Sequence, residues 1–170
     1  GTNPAPLPDE VEVVVVGGGL LGMAAASRLI AKGHSVVILE QRALVGGIWS
    51  MHANSTSQVN SSEGGYCLKE FLPESSPRKH AHNRDHSTAA EVLHDLAELG
   101  ASLKDVIHTQ VQVAQVLGSA GDYQVICMQH GATAPSMKVI KCEGVVLAIN
   151  DRVGLPRSLA VPGMDEFHGI

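Results

Sequence analysis

Aromatic side chains are scarce, at 3% of the chain, and the formal net charge is −5. The first removes the stacking platforms that hold single-stranded nucleic acid, and the second removes the cationic surface that any nucleic acid requires. No apolar run reaches the roughly eighteen residues of a membrane-crossing helix, since the most hydrophobic stretch, Val11 to Val16, is interrupted by Glu12. The three cysteines, Cys67, Cys127 and Cys142, contain no C-x-x-C pair. A disulfide framework and a zinc knuckle are therefore not expected, and all three read as free thiols. What remains is a chain of 170 residues, 44% hydrophobic, enough for one soluble globular domain with a core of ordinary size.

The chemistry is concentrated between Val11 and Trp49. A β-branched run ends in Gly17-Gly18-Gly19-Leu20-Leu21-Gly22, a G-x-G-x-x-G motif placed between a strand and a helix, where dinucleotide binding requires it. Gly17 suits a tight turn and Gly19 a close approach of backbone to pyrophosphate, while Gly22 and Ala26 let the helix lie near the sheet. That helix is predicted from Leu20 to Lys32, with Gly33 as a left-handed cap. A second strand, Ser35 to Leu39, leads to Glu40, eighteen residues after Gly22, where an acid accepts hydrogen bonds from an adenosine ribose. This unit predicts a Rossmann-like α/β domain over residues 11–170, preceded by a proline-rich leader at 1–10. The leader is compatible with a linker, a tag remnant or the terminus left by a removed targeting peptide, so the compartment, organellar or otherwise, stays open.

NAD and FAD share the fingerprint. The next residues, Gly46-Gly47-Ile48-Trp49, resemble the Gly-Gly-x-Trp turn of the flavin-containing and Baeyer-Villiger monooxygenases, which follows a first glycine fingerprint and a terminal Glu. A weaker match lies at the other end, where an apolar strand at Val145 to Ala148 precedes Pro162-Gly163 and Phe167-His168-Gly169, similar to the start of that family's F-x-G-x-x-x-H signature. The resemblance implies a glutathione-reductase-type FAD-binding half-domain, with Gly17, Gly19, Leu21, Gly22, Glu40, Gln41, Gly47 and Trp49 at the cofactor. It also implies an Asn near the oxygen-reactive carbon of the flavin, for which Asn60 is the best positional match and Asn54 the rival; the alternative reading of both is a polar loop residue. Two departures stand out. Ala148-Ile149-Asn150 replaces an Ala-Thr-Gly turn, and no second G-x-G-x-x-G follows for NADPH. The NADPH domain and the segment that closes the flavin domain are thus expected to lie outside these residues. A protein partner is expected to cover the incomplete sheet, and a non-catalytic Rossmann-like scaffold is the alternative function.

Between the two ends, Ser50 to Arg84 reads as a long loop region with at most short elements. His80, His82 and His86 within and beside it have ligand-like spacing, but with Arg78, Lys79 and Arg84 nearby the expectation is a solvated basic loop without a metal. Thr88 and Glu91 form a capping box for an amphipathic helix running to Gly100. Three further strands, near 111–117, 123–128 and 137–141, have hairpin spacing and predict an antiparallel meander attached to the parallel sheet.

Overall fold

The computed structural model describes residues 6–63, 68–82, 85–130, 134–149, 161–166 and 168. Asn150, Phe167, Gly169, Cys67 and Arg84 lie outside the described residues. Strand β1 (Glu10–Val16) feeds helix α1 (Leu20–Ala31), which returns to β2 (Val36–Leu39). Helices α2 (Ile48–His52) and α3 (Ala89–Ser102), strand β3 (Ile107–His108) and the strands β4 (Val111–Ser119), β5 (Asp122–Gln129) and β6 (Ser136–Leu147) follow. They form one six-stranded sheet in the order β3-β2-β1-β6-β5-β4. The β1–β2, β1–β6 and β2–β3 pairs are parallel, and β4, β5 and β6 form the antiparallel meander.

Because β1 is central, both faces of its C-terminal half are buried, and this is why Val13 to Val16 follow one another without a polar residue. Val15 joins Met23, Ala26, Ile38, Leu96 and Leu99 under the helices, whereas Val14 and Val16 join Val37, Leu39, Val125 and Ile140 under the meander. The core begins earlier than Val11, since Leu7 is buried in the meander-side cluster and Asp9 accepts a hydrogen bond from Lys141 N–H. Helix α1 ends in a Schellman arrangement in which the Gly33 and His34 N–H groups donate to the Ile30 and Leu29 carbonyls, at 2.9 and 3.1 Å. The capping box of α3 is present at Thr88 and Glu91.

Three elements depart from the sequence expectation. The strands near 137–141 and 145–148 are one strand, β6, which runs beside β5 with its first half and beside β1 with its second. No turn-forming residue pair interrupts it. Strand β3 is only two residues long and owes its form to the β2 edge, so local pattern could not reveal it. The basic segment around Arg78 is exposed at His80 and His82, but its Arg78 and Lys79 side chains turn inward. Arg78 forms a two-pronged pair with Asp95 of α3, at 2.6 and 3.0 Å, and donates to Glu63 at 2.7 Å. Glu63 also accepts from Ser87 and pairs with Lys69, both at 2.7 Å. Lys69 and Lys79 donate further to the carbonyls of Ala81 and Leu72 at 2.9 Å. These bonds, with Asp95 first and Glu63 second, hold the Arg78 guanidinium protonated beyond its ordinary range. The segment is irregular in backbone yet tied to α3 by mostly buried charge, which loop composition does not disclose.

Among the described residues, no helix is long and apolar enough to cross a membrane. Cys127 and Cys142 are buried free thiols whose pKa values burial pushes up.

Two predictions follow from this packing. Replacing Arg78 by Met leaves the buried Asp95 carboxylate without its guanidinium partner and takes one of several partners from Glu63, a change that costs about 3 kcal/mol and lowers Tm by roughly 6–12 °C; an unchanged Tm in a thermal scan would remove the network from the account. His108, 3% exposed, has an Nδ1 with no partner among the described residues, and burial pushes its pKa down. The unfolded chain takes up a proton there near the ordinary value of about 6.5 while the folded chain resists it, so stability is lost as pH falls below that value. His108→Leu is expected to shrink the difference in urea midpoint between pH values on either side of about 6.5; an equal difference in both proteins would contradict it.

Candidate functional site

The carboxyl ends of β1 and β2 bring together most of the residues that the sequence pattern singled out. Gly17, at φ +105°, turns the chain out of β1, with its N–H donating to the Leu39 carbonyl at 2.8 Å. A Cβ on Gly17 would lie 2.6 Å from the Ala148 carbonyl oxygen, and one on Gly22 would lie 1.9 Å from that of Gly17. Helix α1 therefore rests directly on the turn. Gly19 is its N-cap and supplies no side-chain acceptor, so the first-turn N–H groups keep the capacity to receive an anion.

A second glycine turn closes over the first. Gly46 N–H donates to the Gly18 carbonyl at 2.9 Å, and a Cβ on Gly47 would come within 3.2 Å of the Gly19 Cα. Gly46 and Gly47 take φ values of +109° and +58°, which glycine adopts without the usual steric cost. Helix α2 starts immediately after them and carries Trp49, half-buried against the helix-side core.

Glu40 lies beneath the first turn, 7% exposed. Its Oε2 accepts the Gly18 N–H at 2.7 Å and its Oε1 the Arg42 N–H at 2.9 Å. A carboxylate has about four acceptor positions, so capacity remains for a ligand hydroxyl. Gln41 is exposed beside it, and Leu21 projects from the first turn of α1 at 73% exposure. Leu44, Ile48, Leu147 and Ile149 are exposed apolar side chains on neighbouring segments. The pattern left Gly18 as a free position and ignored Val45, yet a Cβ on Gly18 would meet Val45 Cγ1 at 2.9 Å and Glu40 Cβ at 3.1 Å. Three consecutive glycines were the available signal.

Asn54 uses its Oδ1 to accept from the Thr56 N–H and hydroxyl, at 2.9 and 2.8 Å. Asn60 is exposed on the run that bridges to residues 85 and 88 through Ser62 and Gln58. Among the described residues, none of the hydrogen bonds that join the two glycine turns involves either asparagine. No three His, Cys, Asp or Glu side chains converge as metal ligands among the described residues; His80 faces Glu74 at 3.1 Å and His86 Nδ1 faces the Val59 carbonyl at 3.1 Å.

A strand, glycine turn, helix and acidic strand end in this geometry define a dinucleotide-binding domain. The family model for FAD dependent oxidoreductases matches residues 12–146, and the chain belongs to that family, whose cofactor is FAD. The flavin-containing monooxygenase FMO GS-OX-like 2 of Arabidopsis thaliana is 47% identical over 47 residues, 28% of this chain and 9% of that protein. A mutant flavin monooxygenase from Stenotrophomonas maltophilia aligns with a TM-score of 0.60 at 26% identity, covering 82% of this chain and 38% of that one. The polycyclic ketone monooxygenase of Thermothelomyces thermophila aligns with a TM-score of 0.65 at 13% identity, covering 85% and 24%. The chain thus spans well under half the length of these relatives. The resemblance drawn from the two glycine motifs agrees with them, as does the mixed Rossmann-like sheet.

Gly22→Ala is expected to abolish FAD uptake, because its methyl group would collide with backbone. Gly33→Ala, left-handed but with open space around it, should lose about 1 kcal/mol of stability and keep uptake. Equal FAD retention by the two variants on gel filtration would refute this distinction.

Proposed function

We propose that this chain is the FAD-binding portion of a flavin-dependent monooxygenase. The observation that carries the reading is the joining of the two glycine turns over the open head of α1, supported by a family match across most of the chain and by relatives that are monooxygenases. In this reading the first-turn amides of α1 receive the pyrophosphate, Glu40 and Gln41 face the adenosine, and Leu21, Gly47 and Trp49 border the flavin end. Gly19 and Gly47, lacking Cβ atoms, leave room for the ligand to approach the backbone. When bound, FAD supplies the redox chemistry by which NADPH and oxygen oxygenate a soft nucleophile or a ketone. The chain's own residues bind and orient, and exclude water through the apolar rim of Leu44 and Ile48. Asn60, with Asn54 as the rival, is proposed to donate an amide hydrogen bond near the reactive face.

We also infer that a protein partner covers the sheet beside β6. Gly144 to Leu147 pair with β1 on one side, and among the described residues no strand pairs with them on the other. Leu147, at 62% exposure, and Ile149, at 55%, add apolar surface at that edge.

The absorption spectrum of the purified protein, repeated on the supernatant after denaturation, tests the cofactor reading. Released, stoichiometric FAD is expected. Added FAD should also quench the emission of Trp49, the one tryptophan. A colourless protein whose Trp49 emission ignores added FAD would overturn the reading.

A further inference from the structure

Glu40 is held more firmly than contact with a ribose requires. Its N–H donates to the His108 carbonyl and its own carbonyl accepts from Val111 N–H, each at 2.9 Å, so the backbone of the residue is locked between β3 and the start of β4. From that position the carboxylate takes the N–H of Gly18 and of Arg42. The Gly18 residue transmits the constraint, because its carbonyl accepts from Gly46. One line of hydrogen bonds therefore joins Glu40 to both glycine turns. Gly18 admits the carboxylate at this range, since a Cβ would stand 3.2 Å from Oε2.

The sign of the charge makes the arrangement informative. A carboxylate beside a turn that receives pyrophosphate repels the ligand, and a carboxylate that also orders that turn lowers the entropy lost on binding. The two effects oppose each other for a ligand that has no ribose. We propose that Glu40 is a positioning residue, holding the Gly17 to Gly19 turn through Gly18 and the Gly46-Gly47 turn through Gly18 in turn, in the shape that receives pyrophosphate, independently of any ribose contact. This rests on the FAD-binding reading above and assigns the residue a second role within it.

The test compares the full chain with its Glu40→Gln and Gly18→Ala variants. The Gln amide keeps one acceptor oxygen but presents an NH₂ group to the second N–H, and the Gly18→Ala methyl crowds Val45 and the Glu40 side chain while leaving its charge. Each protein is titrated with inorganic pyrophosphate and with ADP, followed by phosphorus NMR. Loss of a charge-assisted bond that orders the turn is expected to weaken pyrophosphate binding about tenfold in both variants, with ADP weakened further in Glu40→Gln. Without ligand, the residue-18 N–H should lose protection from exchange and Trp49 emission should shift. Pyrophosphate affinity that is unchanged or increased in Glu40→Gln, while ADP affinity falls, would leave only the ribose role and overturn the proposal. Wild-type protein that takes up neither ADP nor FAD would overturn the functional reading instead. In that case the ligand-free readouts decide, and unchanged protection of the residue-18 N–H and unchanged Trp49 emission in both variants would overturn positioning as well. A meander-side methyl spectrum unchanged at Ile140 confirms that each variant is folded.

Discussion

Helix α1 can begin where it does only because nothing larger than hydrogen projects from Gly22 toward the Gly17 carbonyl. That contact sets the distance between the helix and the end of β1, and with it the direction in which the first-turn amides point. It also brings α1 low enough for Met23 and Ala26 to meet Val15 and Ile38 in the core. The second glycine turn depends on the first, because Gly46 is held by the Gly18 carbonyl. A ligand-receiving surface and a packed helix thus have one steric origin.

The same economy governs the rest of the sheet. Strand β6 serves as the junction between two kinds of pairing, parallel with β1 and antiparallel with β5, and so carries the meander to the face opposite the helices. The Glu63, Arg78 and Asp95 network does for the irregular segment what hydrogen-bonded ladders do for the strands, giving it fixed partners on α3. Buried ion pairs of this kind contribute little net stability over an apolar alternative. Their consequence here is definition of position, which places Gln58 to Ser62 beside the start of α3.

Much of the architecture was legible because it rests on local rules. Valine repetition, the glycine motif, the capping glycine at 33 and the Thr88 capping box each involve residues a few positions apart, and propensity and period suffice to read them. The joining of the two glycine turns was legible only in part. Each turn declares itself by composition, but their hydrogen bond spans residues 18 and 46, and spacing carries no information about such a contact. The same limit hid the role of Gly18 at a position the motif leaves free.

Sequence by itself determined the βαβ unit, the glycine turns, the acid at the end of β2 and the resemblance to flavin monooxygenases, because these follow from backbone sterics and short-range pattern. Tertiary structure alone decided that β6 is one strand, that β3 exists, that Leu7 belongs to the core and that Arg78 is turned inward. It also decided that Glu40 is committed to Gly18 and Arg42. Each of these depends on the surface that distant parts of the chain present once the sheet has formed, and a buried charge or a two-residue strand has no stable form until that surface is there.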